Sequence, residues 1–248
     1  TAGHIYAGVA LADRLKALRP SVDIQFVGAA GGMEERLVPR SGYALHLIRI
    51  GSWNGASFKK KIQTIVQLPL ACVKSIWLLV RYRPDIVFGV GGYASFPLVF
   101  TAGLIAGAWG GKVAILEQNV LPGLTNRILG RVSKRVFSAF PGSESIFGAH
   151  KVLVTGNPIR SAMKPLSSAA RDPFTVFIFG GSQGAVGINT LVIEALPYLA
   201  NAKKDHGVRL KWIHQTGQKD YERVLEAHIK SQTGARVEKF IDNMVECR

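Results

Sequence analysis

Short apolar runs of strand length alternate with stretches of helical period along almost the whole chain. This alternation constrains the fold more than any single motif. The runs fall at 24–28, 45–50, 86–90, 113–116, 135–138, 152–155, 175–179, 210–215 and 237–240, with helix-period stretches at 5–18, 96–107, 188–199 and 220–230. Strands separated by helices cannot pair as hairpins. They pair in parallel through helical crossovers, so the pattern predicts an α/β fold built from Rossmann-like units with parallel sheets. The 248 residues suffice for one large or two ordinary domains, and 48% apolar content provides a core for each. Between 157 and 173, Pro158, Pro165, Pro173 and the run Ser167-Ser168-Ala169-Ala170 break the rhythm. A linker is expected there, with domains at 1–158 and 159–248.

Two glycine turns stand before helix-period stretches: Thr1-Ala2-Gly3-His4, and Gly180-Gly181-Ser182-Gln183-Gly184-Ala185. Such a turn leaves backbone N–H groups aimed at one point, with the positive end of a helix dipole behind them, and so attracts phosphate. Glycines also mark plain tight bends and close helix-to-strand packing, so each turn alone has a second reading. Two of them predict two anion-binding helix ends. The first turn begins at residue 1 without a preceding strand or initiator methionine, and the chain stops just after 240–244, where a new helix starts. A piece of a longer protein is therefore expected, with an incomplete second domain.

Lysine and arginine number 31 against 16 aspartates and glutamates, a net charge of +15. That balance favours polyanions: nucleic acid, anionic lipid headgroups or diphosphate-bearing substrates. No nucleic-acid motif and no aromatic-basic stacking platform appears, so no nucleic-acid partner is expected. Cys72 and Cys247 match no metal or redox spacing, which points to a reducing compartment.

Residues 86–111 carry no formal charge, but seven glycines and Pro97 divide them into a strand, a glycine loop at 89–92 and a short helix, not a membrane span. Residues 58–83 set Phe58, Ile62, Ile65, Val66, Val73, Ile76, Trp77 and Val80 at helical spacing among Lys59, Lys60, Lys61, Lys74, Arg81 and Arg83. Pro69 is expected to kink or divide this helix. Its apolar side has two readings, a crossover helix packed on the core or an interfacial helix on an anionic membrane. Trp109 is a candidate anchor or a half-buried core residue.

His4, at a helix N-terminus, is kept neutral by the dipole and is the best general-base candidate, a cap for the turn being the alternative. The other five histidines form no metal-ligand pattern, and no Asp-x-Asp device is present. Neither a metal nor another cofactor is expected. Glu117-Gln118-Asn119 follows a strand, where ligands gather in parallel sheets, although a turn-and-cap role is open too. Arg160, in Gly156-Asn157-Pro158-Ile159-Arg160, is either an anion contact at the hinge or solvated surface charge.

Together these segments resemble the MurG family, membrane-surface transferases that move N-acetylglucosamine from UDP onto a lipid-linked muramyl-peptide. The matching residues are Thr1-Ala2-Gly3-His4, Gly91-Gly92-Tyr93-Ala94-Ser95-Phe96-Pro97, Glu117-Gln118-Asn119 with Pro122-Gly123 and Asn126-Arg127, Gly156-Asn157-Pro158-Ile159-Arg160, residues 180–185 with Ile188-Asn189, and Phe240-Ile241-Asp242. They keep the family's order across nearly the whole chain. Ala2 replaces a glycine and Ala7 a proline of the family pattern, and the family's acidic residue and glutamine for the donor sugar would lie beyond Arg248.

The resemblance implies a GT-B architecture of two Rossmann-like domains with an interdomain cleft. It implies inverting, metal-independent transfer from UDP-N-acetylglucosamine to the 4-hydroxyl of an undecaprenyl-diphosphate-linked muramyl-pentapeptide. Implied substrate contacts are Thr1, Ala2, Gly3, Asn119, Arg160, Ser182, Gln183 and the Ile241 backbone, with Tyr93 and Ser95 on the acceptor side. The implied location is the cytoplasmic face of the bacterial inner membrane, held peripherally on an anionic surface. Two alternatives remain: a transferase for another lipid acceptor, and a catalytically inactive membrane-associated module that binds nucleotide sugar.

Overall fold

A computed structural model describes residues 2–51, 58–160, 173–181, 183–206 and 209–241, with the backbone alone described at 58–63, 65 and 200–206. Thr1, Ser182, Asp242 and most of the expected linker lie outside the described residues. The chain divides into two compact units, Thr1–Arg160 and Ser161–Arg248. Each is α/β, and every strand pairing in both is parallel.

In the first unit the order is α1 (Ala2–Leu18), β1 (Gln25–Ala29), α2 (Glu34–Arg40), β2 (Ala44–Ile48), α3 (Phe58–Tyr82), β3 (Ile86–Gly89), α4 (Phe96–Ile105), β4 (Lys112–Glu117), α5 (Leu124–Val132), β5 (Arg135–Ser138), α6 (Glu144–Phe147) and β6 (Val152–Val154). The second unit contains β7 (Phe174–Phe179), α7 (Val186–His206), β8 (Leu210–Gln215), α8 (Tyr221–Lys230) and β9 (Arg236–Glu238). Each apolar run singled out in the sequence folds as a strand. The sheets run β1-β2, β3-β4-β5-β6 and β7-β8-β9.

The main core of the first unit lies between β3–β6 and helices α3–α6. Ile115 of β4, Leu129 of α5 and Val136 of β5 are fully buried there. Each such side chain contributes roughly 2 kcal/mol by leaving water. Ser75 and Thr101, both buried, donate to carbonyls four residues back, Ala71 at 2.8 Å and Pro97 at 2.6 Å, so α3 and α4 pack without orphan hydroxyls. A second cluster joins Ile5, Val9 and Ala12 of α1 to Leu37 and Val38 of α2 and to Tyr43.

Three sequence expectations are corrected. Residues 2–4 form the first turn of α1, not a turn ahead of it, and Gly3 does not adopt a positive φ. Pro69 does not divide its segment: α3 is continuous through it, because the buried face of Thr64, Ala71, Ser75, Leu78 and Leu79 anchors both halves and one missing backbone bond is tolerated. The short helix α2 falls in a stretch left without an element. It carries Glu34 and Glu35 in its first turn, where the dipole favours them. Trp109 resolves as half-buried on the main core, its indole N–H donating to the Pro84 carbonyl at 3.1 Å.

Candidate functional site

In the first unit the polar residues gather at the carboxyl ends of β3 and β4. β4 ends on Glu117, whose side chain is 1% exposed. Its Oε1 accepts the Asn119 N–H at 2.8 Å and the Asn119 side-chain amide at 3.1 Å, and its Oε2 accepts from Asn126 Nδ2 at 2.9 Å. A buried carboxylate costs heavily unless hydrogen-bonded, and these amides satisfy it. Asn126, in the first turn of α5, also donates to the Leu116 carbonyl at 3.0 Å, while its Oδ1 is buried with no partner. One buried glutamate thus locks the Asn119 loop to α5.

His4 meets this cluster from α1. Beyond β3, Gly91 and Gly92 take φ values of +93° and +80°, a backbone only glycine adopts readily. A Cβ on Gly91 would lie 3.0 Å from His4 Cδ2 and 3.1 Å from Nε2, so the imidazole sits directly against bare backbone. Burial lowers the His4 pKa below its ordinary value, while Glu117 and then Glu34 oppose that shift. The result is an imidazole held neutral, with negative charge at hand to stabilise it once it takes a proton.

A cavity of about 770 Å³ holds these groups together. Its lining includes the polar or backbone-exposing residues His4, Glu34, Gly91, Gly92, Glu117, Asn119 and Asn126 together with apolar Phe26, Val27, Val38, Leu45 and Leu68, and Tyr93 and Ser95 also line it. β1 and β3, which pair on one side only, contribute Gly91 and the preceding Val90 just beyond β3, and Phe26 and Val27 from β1. The Ser95 hydroxyl closes its own turn, donating to the Gly92 carbonyl at 2.9 Å. Arg160 lies apart from this lining, its guanidinium 4.2 Å from the centre of the Tyr6 ring on α1. Gly3 is exposed, with open space where a Cβ would be.

The second unit builds its glycine turn on true positive-φ positions, +81° at Gly181 and +74° at Gly184. The turn packs on the loop after β8 so tightly that a Cβ on Gly184 would collide with the Thr216 carbonyl, and one on Gly217 with the Gln183 carbonyl. Gln183 itself is exposed, ahead of α7. Ile241 is buried, and its N–H donates to Gln215 Oε1 at 2.8 Å. The same Gln215 donates from Nε2 to the Gly181 carbonyl at 2.9 Å, so the two regions singled out in this unit, the turn and Ile241, share one bridging side chain.

Beneath them runs a buried hydrogen-bond chain. Asn189 Nδ2 donates to the Thr216 carbonyl at 3.0 Å and to Asp220 Oδ2 at 2.8 Å, which leaves its Oδ1 to accept from His214 Nε2 at 3.1 Å. His214 Nδ1 therefore accepts from His228 Nε2 at 3.1 Å, and His228 Nδ1 accepts from the Thr233 hydroxyl at 2.9 Å. Burial, and then neighbouring His228, push His214 down to about 4, and burial lowers His228 as well. Both rings are neutral at pH 7. Asp220 is held at about 2 by its hydrogen bond to Arg223 and then by Asn189.

Sequence reading singled out Glu117, Asn119, Asn126 and Ile241, but not that Glu117 bonds both asparagines, and it missed Gln215, which holds Ile241. The available signal was a polar residue closing an apolar strand run, Glu117 after Ala114-Ile115-Leu116 and Gln215 after Trp212-Ile213-His214.

The glycosyltransferase family 28 N-terminal domain matches residues 1–138, and the family's C-terminal domain matches residues 175–247. The chain belongs to glycosyltransferase family 28. Its family 28 relatives include the UDP-N-acetylglucosamine–N-acetylmuramyl-(pentapeptide) pyrophosphoryl-undecaprenol N-acetylglucosamine transferase of Myxococcus xanthus, 40% identical over 98% of this chain and 62% of the relative. The transferase of the same name from Anaeromyxobacter sp. strain K is 41% identical over 98% of this chain and 62% of its own. This family 28 chain thus spans about three fifths of the length of those relatives.

Among solved structures, Acinetobacter baumannii MurG superposes with a TM-score of 0.64 at 28% identity, covering 100% of this chain and 66% of that one. The UDP-GlcNAc 2-epimerase of Methanocaldococcus jannaschii superposes at 0.62 with 12% identity, over 96% of this chain and 72% of its own, a likeness of fold alone. Family membership and these neighbours place the chain in the GT-B class of parallel α/β folds.

Proposed function

We propose that this chain is the larger part of an inverting transferase that moves N-acetylglucosamine from its UDP donor to the 4-hydroxyl of a lipid-linked muramyl-pentapeptide. The observation that carries the reading is the convergence of His4, Gly91-Gly92, Glu117 and Asn119, scattered through the sequence, at the carboxyl ends of two parallel strands. The relatives' names supply the substrates. The first unit takes the acceptor, with Tyr93, Ser95 and Asn119 as contacts, and the second takes the nucleotide on its glycine turn and at Ile241.

In the reaction the acceptor oxygen attacks the anomeric carbon of the sugar as its proton passes to neutral His4. The bond from that carbon to the diphosphate oxygen breaks, and its electron pair leaves with UDP. Amide donors of the glycine turn, with the N-terminus of α7 behind them, stabilise the negative charge that develops. Because Gln215 takes the Ile241 N–H, Ile241 meets the base through its carbonyl, the acceptor that the N3–H of uracil requires. Arg160, and Thr1 with Ala2 and Gly3, serve as further substrate contacts, and no metal ion is needed.

Full-length protein given UDP-N-acetylglucosamine and the lipid-linked muramyl acceptor should release UDP only when the acceptor is present. UDP binding without any turnover would sink this reading in favour of an inactive binding module, and turnover confined to another lipid acceptor would replace the substrate.

The enzyme works, on this proposal, at the cytoplasmic face of the membrane. Among the described residues no helix is long and apolar enough to cross a bilayer. Supporting peripheral attachment, Val66, Leu70, Val73, Trp77 and Val80 are all more than half exposed, at helical spacing along α3, with Lys74 and Arg81 exposed beside them. Removing the Trp77 ring should weaken binding to anionic vesicles about tenfold. Trp77→Ser protein that co-sediments with phosphatidylglycerol vesicles as the unmodified protein does would remove α3 from the contact.

A further inference from the structure

We propose that Gln215 is a positioning residue that sets the span between the glycine turn and Ile241, and so fixes how far a bound nucleotide's diphosphate lies from its base. The inference rests on the reading of the second unit as a UDP-sugar site. Gln215 closes β8 with its side chain 0% exposed, and each end of its amide is engaged: Nε2–H on the Gly181 carbonyl at 2.9 Å, Oε1 on the Ile241 N–H at 2.8 Å. The two bonds need one donor and one acceptor on the same planar group. An uncharged amide of this length supplies both in one rotamer.

The bridge is rigid because its own base is rigid. Immediately after it, the Thr216 N–H donates to the Glu238 carbonyl at 3.0 Å and the Gly217 N–H to the Lys239 carbonyl at 3.1 Å, which ties the end of β8 to the segment leading to Ile241. Immediately before it, His214 is held through Asn189 to the first turn of α7, and Asn189 also grips the Thr216 carbonyl. On the turn side, the Gly181 carbonyl accepts from Gly184 N–H at 3.1 Å as well as from Gln215. The Gly181 carbonyl is thus held by two donors at once. The spacing between the Gly181 carbonyl and the Ile241 N–H is therefore set by one side chain before any ligand arrives.

The test uses the full-length protein, UDP titration by calorimetry, and steady-state kinetics of Gln215→Met and Gln215→Leu. Both side chains are apolar and offer neither bond, methionine matching the length of glutamine and leucine being shorter. Both should raise the Kd for UDP and the KM for UDP-N-acetylglucosamine on the order of tenfold, with kcat per folded molecule changed less than about threefold. A merely structural role would lower the folded fraction and leave KM where it was. Should neither variant fold, hydrogen exchange on the unmodified protein decides: the Ile241 amide must be protected before UDP is added. Variants that bind UDP as tightly as the unmodified protein, or fast exchange at Ile241, overturn the proposal. Failure of the unmodified protein to bind UDP instead overturns the nucleotide site on which it rests.

Discussion

Replacing His4 with alanine should lower kcat by about 10²–10⁴, the span over which a positioned general base contributes, while the Kd for UDP stays unchanged. The expectation combines two observations. The imidazole lies against Gly91 in the lining of the cavity, and burial lowers its pKa so that the neutral, proton-accepting form prevails at pH 7. The base works only when neutral, so kcat/KM should be flat near neutrality and fall as pH drops through the lowered pKa, below where an ordinary histidine would titrate. Glu117, which raises that pKa, also stabilises the imidazolium formed during transfer. Glu117→Gln should therefore shift the acid limb to still lower pH and slow turnover. A pH profile without an acid limb, or His4→Ala turnover near the unmodified rate, would remove His4 from the role.

Gly184→Ala should be the most damaging single-methyl change in the second unit. Gly184 sits at φ +74°, where a side chain costs about 1–3 kcal/mol in strain, and its Cβ would overlap the Thr216 carbonyl, adding an overpacking cost of about 1–3 kcal/mol. Backbone cannot swing aside as a flexible side chain can, and Thr216 is further held by Asn189. Denaturant unfolding should show the loss in stability, and UDP binding should weaken about 100-fold or more as the turn is pushed away from its loop. Gly187→Ala is the control. Gly187 is helical in α7 with open space around it, and alanine there should stabilise by up to about 1 kcal/mol. Equal behaviour of the two variants would refute the close packing of the turn on the β8 loop.

The strands and the larger helices could be read from the chain because their signal is local. A run such as Ala114-Ile115-Leu116 specifies a buried parallel strand by its own composition. Boundaries at glycine were less legible: Gly3 and Gly184 look alike in sequence, yet Gly3 is helical and Gly184 turns, because only the latter is pressed against another backbone. Division of the helix at Pro69 fails for the same reason, since the packing that carries α3 through it comes from α4, distant in the chain. The apolar side of α3 was ambiguous in sequence, and burial divides it: Leu78 and Leu79 face the core, while Val73, Trp77 and Val80 face outward.

By itself the sequence determined the α/β class, the parallel pairing, the family and the segments around which the sites are built, because hydrophobic period, glycine placement and short motifs are properties of neighbouring residues. Only the tertiary structure decided which side chains hold those segments in place. Glu117 reaches Asn126 across a loop and Gln215 joins Gly181 to Ile241 across a sheet. A buried amide or carboxylate must find its partners in space, and nothing in the chain's local pattern says where those partners will be.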